Sequence, residues 1–184
     1  VTEQSTGQLQ LGLGYSSAWL RQRHLERGVS SAATMLAAAS QRTKTIGLGT
    51  AVIPLGYENP FRLAEDLATV DVLSGGRLNV GVSANPPAFA DLVAPFYDGD
   101  LAAHDFTHRR AGRLAEALAS KPLSDRALAG NAAGAQIPRL HPIAKGIETR
   151  LWYGGGSLAS ADWAGRNGWH LLSGNIVTGE GTDD

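Results

Sequence analysis

The sequence predicts an α/β protein built on a parallel sheet, either open or closed into a barrel. Three observations carry that expectation. Residues 43–85 read as strand, loop, helix, turn and strand, a complete βαβ unit whose two strands run parallel with a right-handed crossover. Strand and helix patterns recur along the chain at roughly 30-residue spacing. Glycine is in excess, at 23 of 184 residues, and many glycines fall at expected strand ends, where α/β proteins bring backbone close to ligands.

Each element has its own signals. Residues 1–10 are polar and specify nothing. Residues 17–22 (SAWLRQ) form a short strand with His24 just past its end. Ser30 and Ser31 can cap a helix over residues 32–41, rich in the strong helix formers Ala, Met and Leu. Residues 46–53 are nearly all small or β-branched, as in a strand covered on both faces. Asn59 then caps a helix with Pro60 in its first turn, where a missing N–H costs nothing. Phe61, Ala64, Leu67 and Ala68 form its apolar stripe, and Ser74-Gly75-Gly76 ends it. Residues 77–83 are a second buried strand.

After Asn85-Pro86-Pro87 the pattern is irregular to residue 103. Residues 104–119 read as a helix, apolar at Phe106, Leu114 and Leu118 and basic at Arg109, Arg110 and Arg113. Residues 120–146 have no period, and a stretch of that length is usually functional or mobile. Residues 149–153 (TRLWY) are a strand, Gly154-Gly155-Gly156-Ser157 a turn, residues 158–166 a helix ended by Asn167-Gly168, and residues 169–172 a last strand before a polar tail. No heptad, internal repeat or linker divides the chain, so residues 1–184 are expected to form one domain.

Composition excludes several classes. With 18% charged and 43% hydrophobic residues the chain is expected to fold and to be soluble. A formal net charge of −1 gives no electrostatic case for nucleic acid or an anionic membrane. The absence of cysteine removes disulfides, thiolate metal sites and a cysteine nucleophile, and suits a cytoplasmic location. The residues from Val1 have neither the basic start nor the apolar block expected of a signal peptide, though a mature chain or fragment would have lost one, and no segment is expected to span a bilayer.

Ligands in parallel α/β folds sit at the carboxyl ends of strands. Those ends are His24, residues 51–55, 83–85, 154–157 and 173–175. The glycine turn before a helix has two readings from its residues alone. It is either a phosphate cradle, with free N–H groups and the helix dipole facing the anion, or a tight turn with Ser157 as an ordinary cap. His104 and His108 stand at i and i+4 on the expected helix, the spacing of a zinc-protease helix but with Asp105 where that motif has glutamate. A solvated helix face is the expectation there, and no metal.

Residues 42–82, RTKTIGLGTAVIPLGYENPFRLAEDLATVDVLSGGRLNVGV, closely resemble the bacterial luciferase-like flavin-dependent monooxygenases. In that family "LGTAV", a helix reading P-x-R-L-A-E-x-x-A-T-x-D-x-L-S-G-G-R and a closing "GV" form the third and fourth βα steps of a TIM (β/α)8 barrel. Residues 16–43 resemble its second strand and helix, and residues 150–168 its later strand, glycine turn and helix. Together these cover somewhat more than half of the chain in the family's order. The resemblance implies a luciferase-type TIM barrel and a flavin cofactor. That cofactor is reduced FMN supplied by a separate reductase, or in some branches F420, used to activate oxygen or transfer hydride on a small organic substrate. It also implies a homodimer.

Carried onto this chain residue by residue, the resemblance places the flavin phosphate on Gly155, Gly156 and Ser157 after Tyr153. The ring lies against Ala51 and Val52, where family members sometimes have a non-proline cis peptide, and Thr50, Ser83 and Asn85 are hydrogen-bonding candidates. Simple strand packing is the alternative for Ala51 and Val52, and satisfaction of nearby backbone for Thr50 and Ser83. Two departures stand out. Family members often carry two adjacent histidines preceded by an acidic residue, but this chain has Gln22-Arg23-His24. Arginine cannot serve as a base, so His24 alone remains a catalytic candidate, against a purely structural role. Luciferases proper also have a phosphate-gripping arginine where Ala84 stands, which leaves either Arg150 or the Gly156 turn to hold the phosphate, or a weakly bound flavin.

A complete TIM barrel needs about 250 residues. At 184 residues, with no obvious first strand, the expected barrel is incomplete: a fragment, a sequence joined across missing segments, or a reduced member whose open edges a second copy covers. Two functions follow. One is a flavin-dependent monooxygenase or oxidoreductase. The alternative is a reduced, non-catalytic flavin-binding or orphan member of the same fold.

Overall fold

The computed structural model describes residues 14–97, 100–128, 130 and 134–173. The polar segments expected at residues 1–10 and after 173 lie outside them. Strands β1 (Ser17–Leu20), β2 (Gly47–Thr50), β4 (Leu78–Ser83), β5 (Leu151–Gly154) and β6 (His170–Leu172) pair in that order, all parallel, and β3 (Ile53–Pro54) extends β2 alongside β4. A doubly wound sheet reverses its strand order at a switch point. Here the order follows the chain without reversal, which is the arc of a singly wound barrel wall.

The helices follow from local chemistry. Helix α1 (Ala32–Arg42) is capped by Ser31, whose hydroxyl accepts from the Thr34 N–H. Helix α2 (Pro60–Ser74) is capped by Asn59, whose side-chain oxygen accepts from the Phe61 and Arg62 N–H groups, and it ends on Gly75 in the left-handed conformation at φ 70°. A short α3 (Ala90–Val93) lies in the stretch expected to be irregular, and α4 (His108–Leu118) follows from the Thr107 cap. Helix α5 (Leu158–Arg166) starts at Ser157, whose hydroxyl accepts from the Ser160 N–H. Helix α2 packs between α1 and α4. The core lies between that helical layer and the sheet, with Leu36, Leu67, Leu78, Val80, Val82, Leu114 and Leu118 almost wholly buried.

Four expectations are corrected. Phe61 is 44% exposed, and α2 buries Leu63, Val70 and Asp71 beside Ala64, Leu67 and Ala68. The α4 helix begins at His108, so His104 precedes it and the two histidines do not share a helix face. His104 stacks on Phe106 and meets Tyr97 edge-on, whereas His108 stacks on Trp163. The strand expected over residues 46–53 is interrupted: Ala51–Val52 is a cis peptide, and four steps from Gly49 to Ile53 run beside three from Asn79 to Val82. One residue is therefore extra, a bulge at the carboxyl end of β2.

Arg150 is the fourth. It precedes β5 and lies at the amino end of the sheet, where Nη1 and Nη2 contact the Asp71 carboxylate at 2.8 and 3.1 Å. The glycine turn follows β5, at the opposite end, so Arg150 does not reach it. Arg77 works at the same amino end, donating to the carbonyls of Ser40, Thr43, Ile46 and Ser74. The long D-x-L-S-G-G-R motif thus ties α1 and α2 to the feet of the strands, the stability face of a barrel.

Candidate functional site

Parallel strands share one polarity, so the segments after β1, β2, β4 and β5 open on a single edge of the arc. At the end of β1, Gln22 is buried and its side chain is fully used. Its Oε1 accepts from the Ala32 N–H at 2.9 Å, while its Nε2 lies 2.8 Å from Glu58 Oε1 and 3.0 Å from His24 Nε2. His24 stacks on Tyr57 with ring centroids 4.1 Å apart. Burial lowers the His24 pKa from its ordinary value. Burial likewise raises the Glu58 carboxyl, with the Gln22 hydrogen bond opposing, Asp66 adding and Arg110 opposing.

Arg110 supports this corner from behind. It is 6% exposed, donates from Nε to the Leu55 carbonyl at 2.8 Å and from Nη2 to the Glu58 carbonyl at 2.5 Å, and lies over the Phe106 ring. His24, Tyr57, Glu58, Tyr97, His104 and Arg110 line part of a cavity of about 850 Å³ that continues along α4 to Lys121. None of the nine cofactor candidates lines it.

Those candidates stand along the carboxyl ends of β2, β4 and β5. The Thr50 hydroxyl is buried, donating to the Gly81 carbonyl at 2.7 Å and accepting from the Gly81 N–H at 2.8 Å, so it serves the sheet. Ala51 and Val52 are half-buried at the bulge. Val52 touches the end of β5: a Cβ on Gly154 would stand 2.7 Å from Val52 Cγ1. Ser83 is half-buried, Ala84 buried and Asn85 exposed at the end of β4. Tyr153 is buried beneath this edge, among His108, Trp163 and Trp169. Burial raises its hydroxyl pKa, partly offset by a hydrogen bond with the Ala84 backbone.

The β5 turn has the form of a cradle. Gly155 donates to the Leu172 carbonyl at 3.1 Å, and a Cβ there would strike Ser160 at 2.4 Å. Gly156 is exposed, and a Cβ on it would meet nothing within 4 Å. Ser157 bonds the Ser160 hydroxyl at 3.1 Å, and Ser160 in turn lies 3.3 Å from His108 Nε2. The turn therefore leaves the Gly156 position open just before a nine-residue helix.

Glu58, Tyr57 and Ser160 were not singled out from sequence, while His108 was weighed only as half of a metal-type pair and Arg110 only as part of a basic helix face. Arg110 carried a signal, since it falls on the i, i+4, i+8 stripe of Leu114 and Leu118 and so faces the core. Glu58 carried none, because its partner Gln22 is 36 residues away.

Residues 12–182 match the family model described as luciferase-like monooxygenase. Limonene 1,2-monooxygenase of Rhodococcus erythropolis is 42% identical over 82 residues, 43% of this chain and 20% of that enzyme. The oxygenating component of 3,6-diketocamphane monooxygenase from Pseudomonas putida, solved with FMN, superposes with a TM-score of 0.68 at 16% identity over 92% of this chain and 50% of its own. An F420-dependent secondary alcohol dehydrogenase, solved with an F420–acetone adduct, gives 0.67 at 20% identity over 92% of this chain and 52% of its own. The chain thus spans a fifth of the first and about half of each solved relative.

Proposed function

The chain belongs to the luciferase-like monooxygenase family, and on that premise we propose that it is a flavin-dependent oxidoreductase using reduced FMN and oxygen on a small organic substrate. The observation that carries the reading is the β5 turn. Open space at Gly156, the Ser157 cap and the start of α5 fit a phosphate monoester. Ala51 and Val52 would lie along the ring, and Ser83, Asn85 and Tyr153 would border it. Thr50 contributes by holding the bulge, through Gly81. Reduced flavin bound there would supply the electrons for oxygen activation or hydride delivery. The cavity that His24 helps to line would orient the substrate and limit water.

FMN is the cofactor of this reading, with F420 as the alternative; the solved relatives include users of both. A separate reductase would supply the reduced flavin, and a second copy of the chain would cover the open edge in a homodimer.

Titration of the purified chain with FMN and F420, oxidised and reduced, tests the reading. Saturable binding weakened by Gly156→Asp supports it, and a folded protein that binds neither form of either cofactor refutes it. The non-catalytic alternative has its own support. Arg23, at the place of a family histidine, is paired with Glu26 at 2.9 Å, and the buried Ala84 offers no charge to a phosphate. Flavin binding without turnover of aldehyde, sulfonate or terpene substrates would favour that alternative.

A further inference from the structure

We propose that Gln22 is a positioning residue that fixes His24 as the Nδ1–H tautomer, so that His24 meets its ligand as a hydrogen-bond donor and does not act as a base at Nε2. The inference rests on reading His24 as part of the active site.

The orientation of the Gln22 amide is set by the Ala32 N–H, 2.9 Å from Oε1. Only an oxygen can accept there, so the other atom of the amide is the NH2 group. That nitrogen has two protons and no acceptor capacity. One points at Glu58 Oε1, 2.8 Å away, and the other at His24 Nε2, 3.0 Å away. Nε2 must therefore accept, which leaves the ring proton on Nδ1. Protonation of Nε2 would set N–H against N–H in a buried corner. The desolvation that lowers the His24 pKa works in the same direction.

The charged and titratable groups around the ring are few. Tyr57 is stacked on it, Glu58 reaches it only through Gln22, and Arg110 stands behind Glu58. The Arg23–Glu26 pair on its own segment is half exposed. Among the described residues none accepts a proton from Nδ1. A substrate group meeting the ring there has to be an acceptor, such as a carbonyl or ether oxygen. The acidic residue that family members often carry here would accept a proton from the histidine; glutamine in its place reverses the direction of the bond.

The test is nitrogen-15 NMR of histidine-labelled, cofactor-free full chain, with His24 assigned by its loss in His24→Gln. The wild type is expected to show the Nδ1–H pattern in its neutral form and to titrate below the ordinary histidine range. Gln22→Glu is expected to switch the ring to Nε2–H and to raise its titration midpoint by about one unit or more. Gln22→Met, which neither donates strongly nor carries charge, should give a mixture of tautomers. A wild-type ring protonated on Nε2, or a spectrum unmoved by both substitutions, overturns the proposal. If the substituted chains do not fold, the wild-type pattern decides alone. Flavin titration is separate: an Nδ1–H ring in a protein that binds no flavin refutes the proposed function and leaves the tautomer assignment standing. Flavin binding with an Nε2–H ring does the reverse.

Discussion

The Thr50 hydroxyl holds both backbone groups of Gly81, donating to its carbonyl at 2.7 Å and accepting from its N–H at 2.8 Å. This pair bridges the place where the extra residue of the β2–β3 bulge breaks the register with β4. One side chain there replaces the lost ladder bonds. The same relationship explains why residue 81 is glycine, since a Cβ would stand 2.0 Å from the Thr50 carbonyl oxygen.

Thr50→Val keeps the shape and removes the hydroxyl, leaving the Gly81 N–H buried without a partner. The expected loss is about 1–3 kcal/mol of stability, read by urea denaturation. Gly81→Ala should cost at least as much by forcing the bulge aside. If Thr50→Val denatures like the wild type, the bridge contributes nothing to folding.

Asp71 and Arg150 make a second test, at the far end of the strands. Asp71 is buried, and Arg150→Met would leave its carboxylate without its guanidinium. A loss of about 3 kcal/mol or more is expected, with flavin affinity in the surviving folded protein unchanged. Weakened flavin binding in a fully folded variant would contradict the placement of Arg150 away from the phosphate turn.

Gly156→Ala and Gly156→Asp separate space from charge at the turn. The position is open and its φ is not left-handed, so both chains should fold. Alanine should change flavin affinity little, whereas aspartate facing a phosphate should weaken it roughly tenfold or more, read by fluorescence titration. Equal effects of the two would argue against an anion at this helix terminus.

Glu58 predicts a pH dependence of stability. Its pKa in the folded chain is raised above the ordinary 4.5, chiefly by burial. The unfolded chain therefore gives up this proton first as pH rises. The contribution is fully present below about 4.5 and is lost as pH climbs through the higher folded value. His24 runs the other way: its pKa is lowered, so its contribution is present above about 6.5 and lost as pH falls through the folded value. Glu58→Gln should remove the first slope and stabilise the chain at neutral pH, checked by denaturation at a series of pH values. A variant with the wild-type slope would place the titrating group elsewhere.

The sequence by itself determined the rhythm of strands and helices, the caps at Ser31, Asn59 and Ser157, the Gly75 stop and the glycine turn. These depend on hydrophobic period, capping and backbone freedom, forces that act within a few residues. It also determined the family, through a motif whose most specific part, Asp71 to Arg77, proves to be a structural tie at the foot of the sheet.

Only the tertiary structure decided which residues share an edge. Strand register inserted the bulge that turns the Thr50 hydroxyl onto Gly81. The polarity of β5 placed Arg150 at one end and Ser157 at the other, seven residues apart in a sequence that gives no sign of it. Packing of α4 carried Arg110 into the core, and the close approach of the β1 and β3 ends joined Gln22 to Glu58. Each of these depends on contacts between residues some 30 or more apart, where burial and register, and not local propensity, choose the partner.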